Sequence, residues 1–180
     1  MILFAAIKMQ PRTVTALTRI QKGVSGARWS AAEKLHITTG FFSEVDDDRA
    51  EILDDELAKL RMCGFELSIK GVGHFGSAEP HSIWAGVQPH PSLTRIHEHC
   101  KTAARRAGIV MEKRKYVPHV TLAYLKKGAP LDRIIKFEQR LAAFEAGPFF
   151  VDEFQLYSSW RKINGPNIYR LEASYPLLGV

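Results

Sequence analysis

Leu35-His36-Ile37-Thr38-Thr39-Gly40-Phe41 and Val117-Pro118-His119-Val120-Thr121-Leu122-Ala123 are the two stretches that decide how this chain is built. Each sets His-x-Thr inside a short apolar run. On a strand, alternate side chains share a face. His36 and Thr38 therefore point one way and Leu35 and Ile37 the other. His119 and Thr121 likewise share a face, with Val120 and Leu122 behind them. The apolar sets pack under a covering layer, and the polar sets must face a groove because unpaired polar burial is costly.

Chance is the first thing to weigh against that pattern. Seven histidines and eight threonines in 180 residues give roughly 0.3 accidental His-x-Thr matches. One copy would mean little. Two copies at equivalent places in a repeated framework mean more, and the surrounding sequence supplies such a framework. Ahead of the first motif lie a strand at 2–7 and a helix at 11–23. After it comes a helix opening at Asp46, Asp47 and Asp48, where free N–H groups favour carboxylates. Ile52, Leu53, Leu57 and Leu60 form one face of that helix. Gly64 ends it, and a strand follows at 65–72.

The second half repeats the order. A strand at 82–87 leads to a helix that starts at Pro91, where a missing donor costs nothing, and runs to Gly108. The second motif strand spans 117–124, a helix 131–144, and a strand 149–157. Asn164, Gly165 and Pro166 turn the chain into a last strand at 168–174. Corresponding elements are about 80 to 85 positions apart. The expected architecture is a duplicated β-α-β-α-β unit in a single domain, 1–180, with pseudo-symmetric halves of about 1–80 and 81–180.

Composition is compatible with this plan and excludes other classes. An apolar content of 46% with 24% charged residues fits a globular domain and leaves no tract for disorder. No segment approaches the length of a membrane span, and the apolar start is too short for a signal sequence. Cys63 and Cys100 fit no zinc spacing. A cytoplasmic monomer without membrane, metal or cofactor is the expectation. The net charge of +6 favours a polyanionic substrate. Lys101, Arg105, Arg106, Lys113, Arg114 and Lys115 concentrate it upstream of His119. On charge alone, a solvated helix face followed by a basic loop explains that cluster as well as a phosphate patch does.

Two histidines across a groove suit phosphodiester chemistry. Imidazole titrates near neutrality, so one ring can take a proton from water while the other protonates the departing oxygen. Thr38 and Thr121 place hydroxyl donors beside the rings, where non-bridging oxygens gather charge. Residue chemistry requires one acid and one base and does not say which is which.

At these residues the chain resembles the 2H phosphoesterases, specifically the bacterial RNA 2′,3′-cyclic phosphodiesterases also called 2′-5′ RNA ligases. The resemblance extends to Ile69-Lys70-Gly71-Val72-Gly73 with Phe75, Ile83-Trp84-Ala85-Gly86-Val87, Pro118, Phe154-Gln155-Leu156-Tyr157-Ser158-Ser159 and Tyr169-Arg170-Leu171. It implies an α+β, two-lobed fold whose mainly antiparallel sheets face a central cleft with helices outside. It implies His36 as proton donor and His119 as proton acceptor, with RNA ends or nucleoside cyclic phosphates as substrates. The chain carries Tyr124 where many members of that family carry arginine, in His-x-Thr-Leu-Ala-Arg. That phosphate contact is either lost or supplied by Arg114 or Lys126.

Several other residues invite a functional reading. His97, Glu98, His99 and Cys100 look like a metal cluster as text, but helix neighbours two apart point to nearly opposite sides. Phe41, Phe75, Trp84, Tyr116 and Tyr124 could stack on a nucleobase, although core packing accounts for most of them, Trp84 above all. The reverse reaction, 2′-5′ joining of RNA ends, is a second enzymatic reading. A non-catalytic RNA-binding module is the rival from another class, and it leaves the repeated His-x-Thr without a purpose.

Overall fold

The protein is described by a computed structural model covering residues 1–113 and 115–179. Its strands and helices follow in the order β1 (Ile2–Lys8), α1 (Pro11–Ile20), β2 (Arg28–Trp29), β3 (His36–Glu44), α2 (Asp47–Leu57), β4 (Phe65–Phe75), β5 (Ser82–Val87), α3 (Pro91–Arg106), β6 (His119–Tyr124), α4 (Leu131–Arg140), β7 (Glu145–Val151), β8 (Glu153–Trp160) and β9 (Ile168–Pro176). One antiparallel sheet runs β7-β4-β5-β6-β3-β1-β8-β9, with the short β2 paired to β6. The expected α+β class and antiparallel pairing are both present, with the strands joined in one continuous sheet.

The two motif strands meet at the centre of that sheet. Among the described residues one register pair, Ile37 with Val120, joins β3 to β6, and so joins the flank β7-β4-β5-β6, with β2 beside it, to the flank β3-β1-β8-β9. The flanks do not coincide with the halves of the sequence. β4 leaves the first half to pair with β5, and β8 leaves the second to pair with β1. The first half thus lends β2 and β4 to one flank, and the second lends β8 and β9 to the other.

Burial follows the alternation read from the motifs. Leu35, Ile37, Val120, Leu122 and Ala123 are buried, with α3 packed on β3. Gly40 permits that packing, because a Cβ there would lie 2.8 Å from the Cβ of Cys100 on α3. Asp46 caps α2 by accepting from the Arg49 amide. Leu53, Leu57 and Leu60 are buried, but Ile52 is 46% exposed and leaves the face assigned to it.

Element boundaries differ from the expectation in ways that have local causes. The strand expected at 149–157 is two strands, β7 and β8, in opposite flanks. Its buried positions run Phe149, Val151 and then Phe154, Leu156, so the alternation changes phase at Asp152. α1 ends at Ile20, ahead of Gly23 with its φ of +87°, and α4 ends at Arg140. β6 begins at His119 because Pro118 has no N–H to offer a ladder.

Candidate active site

The two motif histidines are held in the same way. His36 Nδ1 lies 2.7 Å from the Lys34 carbonyl and His119 Nδ1 lies 2.6 Å from the Val117 carbonyl. In each case the acceptor is two residues earlier, where the chain enters its strand. A carbonyl can only accept, so each Nδ1 carries a proton and donates it. Each Nε2 is then the atom that changes protonation state. Thr38 Oγ1 sits 3.2 Å from Nε2 of His36.

Register brings the motifs together. Antiparallel pairing of Ile37 with Val120 sets His36 opposite Thr121 and Thr38 opposite His119, on the face away from the apolar partners. His36 is half-buried among aromatic rings. Phe4 lies 5.1 Å from it and Tyr169 meets it edge-on at 5.7 Å. Burial holds the His36 imidazole below its usual pKa of 6.5, the Lys34 carbonyl offsets part of that, and the charge of His119 lowers it further. That last effect follows from the register, which sets the two imidazoles on one face of adjacent strands. His119 has its own aromatic support, Phe75 at 4.9 Å in an edge-on contact, with Trp84 behind Phe75 at 5.6 Å. Trp84, expected in the core, is only half-buried and spreads over Gly73.

A cavity of about 400 Å³ opens beside His36. Phe4, Tyr157 and Tyr169 supply its aromatic wall, and Lys8, Lys34 and Lys162 its cations. Its size falls within the range of small-molecule sites. Sequence patterning did not single out these six residues, because elements distant in the chain bring them together. Tyr157 and Tyr169 were present only as parts of the resembling tail.

The remaining sequence candidates fall in different places. Tyr124 is exposed on β6, and the pKa of Tyr169, raised first by burial, is raised further by Tyr124 nearby. β2 sets Arg28 opposite Tyr124, with its guanidinium 5.4 Å from the ring centre. A cation thus stands beside Tyr124, and it comes from a strand too short for periodicity to reveal. Lys126 is exposed beyond the end of β6, and Arg114 lies outside the described residues. Phe41 is exposed farther along β3, opposite Phe4. Tyr116 acts as a strut: its hydroxyl donates to the Thr38 carbonyl at 3.0 Å and its ring stacks on His97 at 3.9 Å.

His97 and His99 are separated as helix geometry requires. Nδ1 of His97 contacts the Thr39 carbonyl, whereas Nε2 of His99 contacts the Glu56 and Leu57 carbonyls. No helix among the described residues is long and apolar enough to cross a membrane.

Comparison with known proteins gives a consistent result. The profile of the 2′-5′ RNA ligase superfamily matches residues 9–162. The RNA 2′,3′-cyclic phosphodiesterase of Thermotoga maritima is 29% identical over 161 residues, covering 86% of this chain and 82% of the relative. That of Aeropyrum pernix is 29% identical over 147 residues, covering 79% and 84%. TT0787 of Thermus thermophilus superposes with a TM-score of 0.81 at 22% identity, covering 99% of both chains. E. coli LigT complexed with 3′-AMP gives 0.78 at 24%, covering 98% of both. With two mirrored His-x-Thr strands at the centre of this sheet and a matching profile over most of its length, the chain belongs to the 2′-5′ RNA ligase superfamily.

Proposed function

We propose that this chain hydrolyses the 2′,3′-cyclic phosphate at RNA ends to a 2′-phosphate, using His36 and His119 as its proton carriers. The observation that carries the reading is the mirrored pair of imidazoles, each with Nδ1 tied to a carbonyl two residues back. The names of the curated relatives point to the same substrate.

The reaction asks for two proton movements. Nε2 of His119 takes a proton from water as the new O–P bond forms. The P–O3′ bond breaks, and the Nε2 proton of His36 passes to the leaving 3′-oxygen. Hydroxyls of Thr38 and Thr121 donate to the non-bridging oxygens as charge accumulates there. The cavity supports this assignment of roles. It lies on the His36 side, so a nucleoside housed there brings its 3′-oxygen to His36 and leaves the His119 side to water.

Burial disfavours the charged form of His36 in the free protein. The anionic cyclic phosphate supplies the missing counter-charge, so binding and protonation of His36 support one another. Joining RNA ends is the microscopic reverse, with an RNA hydroxyl in place of water. Water outcompetes that hydroxyl in dilute solution, and hydrolysis dominates.

Variants test the proton carriers directly. His36→Ala and His119→Ala should each lower turnover of a nucleoside 2′,3′-cyclic phosphate by about a hundred- to ten-thousand-fold. Circular dichroism should show both variants folded. Near-normal rates from either folded variant would overturn the two-imidazole mechanism.

A further inference from the structure

The cavity beside His36 holds more positive charge than a terminal nucleoside needs. A nucleoside 2′,3′-cyclic phosphate carries one negative charge, and the two histidines and two threonines occupy the place where it sits. Yet Lys8, Lys34 and Lys162 also line the cavity, with Glu33 as the carboxylate among its lining residues. Lys8 is the register partner of His36 across β1 and β3, so its side chain rises on the same face. Lys34 is anchored from the other side. Its ammonium donates to the Asn167 carbonyl at 2.5 Å and lies 5.3 Å from the Tyr169 ring centre. Lys162 stands in the loop between β8 and β9, as Asn167 does. Among the described residues, no carboxylate forms an ion pair with Lys8, Lys34 or Lys162.

We infer that these three lysines form a second anion subsite, which binds the phosphate on the 5′ side of the terminal nucleoside. The inference rests on the cyclic phosphodiesterase reading and narrows its substrate class. The two anions are separated by one ribose, and the cavity lining includes His36 together with Lys162, Pro166 and Asn167 of the β8–β9 loop. With the cyclic phosphate at the histidines and the ribose against Phe4, Tyr157 and Tyr169, the 5′-oxygen points towards the loop that carries Lys162. Lysines without a carboxylate ion pair along an aromatic cavity offer a phosphate charge-assisted contacts that an apolar ligand could not use. The natural source of that phosphate is the preceding linkage of an RNA chain. A free 5′-phosphorylated nucleotide offers the same chemistry.

Three substrates separate these possibilities: a nucleoside 2′,3′-cyclic phosphate, the same compound with a 5′-phosphate, and a dinucleotide ending in a cyclic phosphate. The quantity to read is the ratio of kcat/KM with the 5′-side phosphate to kcat/KM without it. A charge-assisted contact of ordinary strength gives a ratio of about ten, carried by KM and shrinking as salt is added. The double variant Lys8→Ala, Lys162→Ala should bring the ratio close to one. A dinucleotide that gains as much as the 5′-phosphorylated nucleotide identifies an RNA linkage as a sufficient ligand. Gain with the free 5′-phosphate alone assigns the subsite to a terminal monoester. A ratio near one in the unaltered protein, or one unchanged in the double variant, would overturn the inference while leaving the hydrolytic activity in place. Calorimetric titration with a nucleoside 2′-monophosphate and a nucleoside 2′,5′-bisphosphate gives a readout that needs no turnover. Equal affinities would overturn the subsite, and absent turnover of all three substrates would overturn the phosphodiesterase reading itself.

Discussion

At the scale of single residues, the site depends on how two imidazoles of the same kind are made unequal. Both use Nδ1 to satisfy a carbonyl, but only His36 is packed between Phe4 and Tyr169 beside the cavity. Its lowered pKa has two measurable consequences. In the unfolded chain His36 regains an ordinary affinity for protons. The unfolded state therefore binds the proton more readily, and stability is lost as pH falls below about 6.5. The difference in thermal stability between the protein and His36→Asn should be constant above that pH and shift against the unaltered protein as pH falls below it. Bound phosphate reverses the bias, so the alkaline limb of kcat should lie at higher pH than that of kcat/KM, which reports the free enzyme. The limbs belong to the coupled pair. Coincident alkaline limbs would mean that the bound phosphate does not support the charge on His36.

At the scale of elements, the motif strand β3 is positioned from its apolar side. α3 lies close enough that Gly40 has no room for a side chain, the obstacle being the Cβ of Cys100 and not a flexible tip. Gly40→Ala should destabilise the protein by about 1–3 kcal/mol and lower turnover as His36 and Thr38 move with their strand. Denaturant titration together with kinetics would measure both, and an unchanged midpoint would show that α3 can move aside at no cost. This is also where the reach of local sequence pattern ends. The alternation of His36, Ile37 and Thr38 is local, so their faces are legible in the sequence itself. The phase change at Asp152 is equally present there, but its meaning depends on β7 and β8 finding different partners far away. β2 is hidden because two residues, Arg28 and Trp29, have no period. The cavity is hidden for a related reason: Lys8, Lys34, Tyr157 and Tyr169 become neighbours only through pairing across β3, β1, β8 and β9.

At the scale of the molecule, the exchange of β4 and β8 ties the flanks together more firmly than the single Ile37–Val120 pair would. Neither flank can be assembled from one half of the chain. Unfolding should therefore be a single cooperative transition, with tryptophan fluorescence and far-ultraviolet circular dichroism giving the same urea midpoint. Trp84 reports one flank and Trp160 the other, and two separated midpoints would contradict that coupling. The same arrangement explains how one cleft receives a histidine from each half and a cavity from only one side. In the proposed reaction that asymmetry gives the cleft a direction, with the nucleoside on the His36 side, where the cavity lies, and water on the His119 side. Identification of the product formed from a dinucleotide 2′,3′-cyclic phosphate in excess EDTA tests this most directly. Hydrolysis that continues undiminished and yields the 2′-phosphate is the expected result. A 3′-phosphate product, or turnover abolished by the chelator, would contradict it.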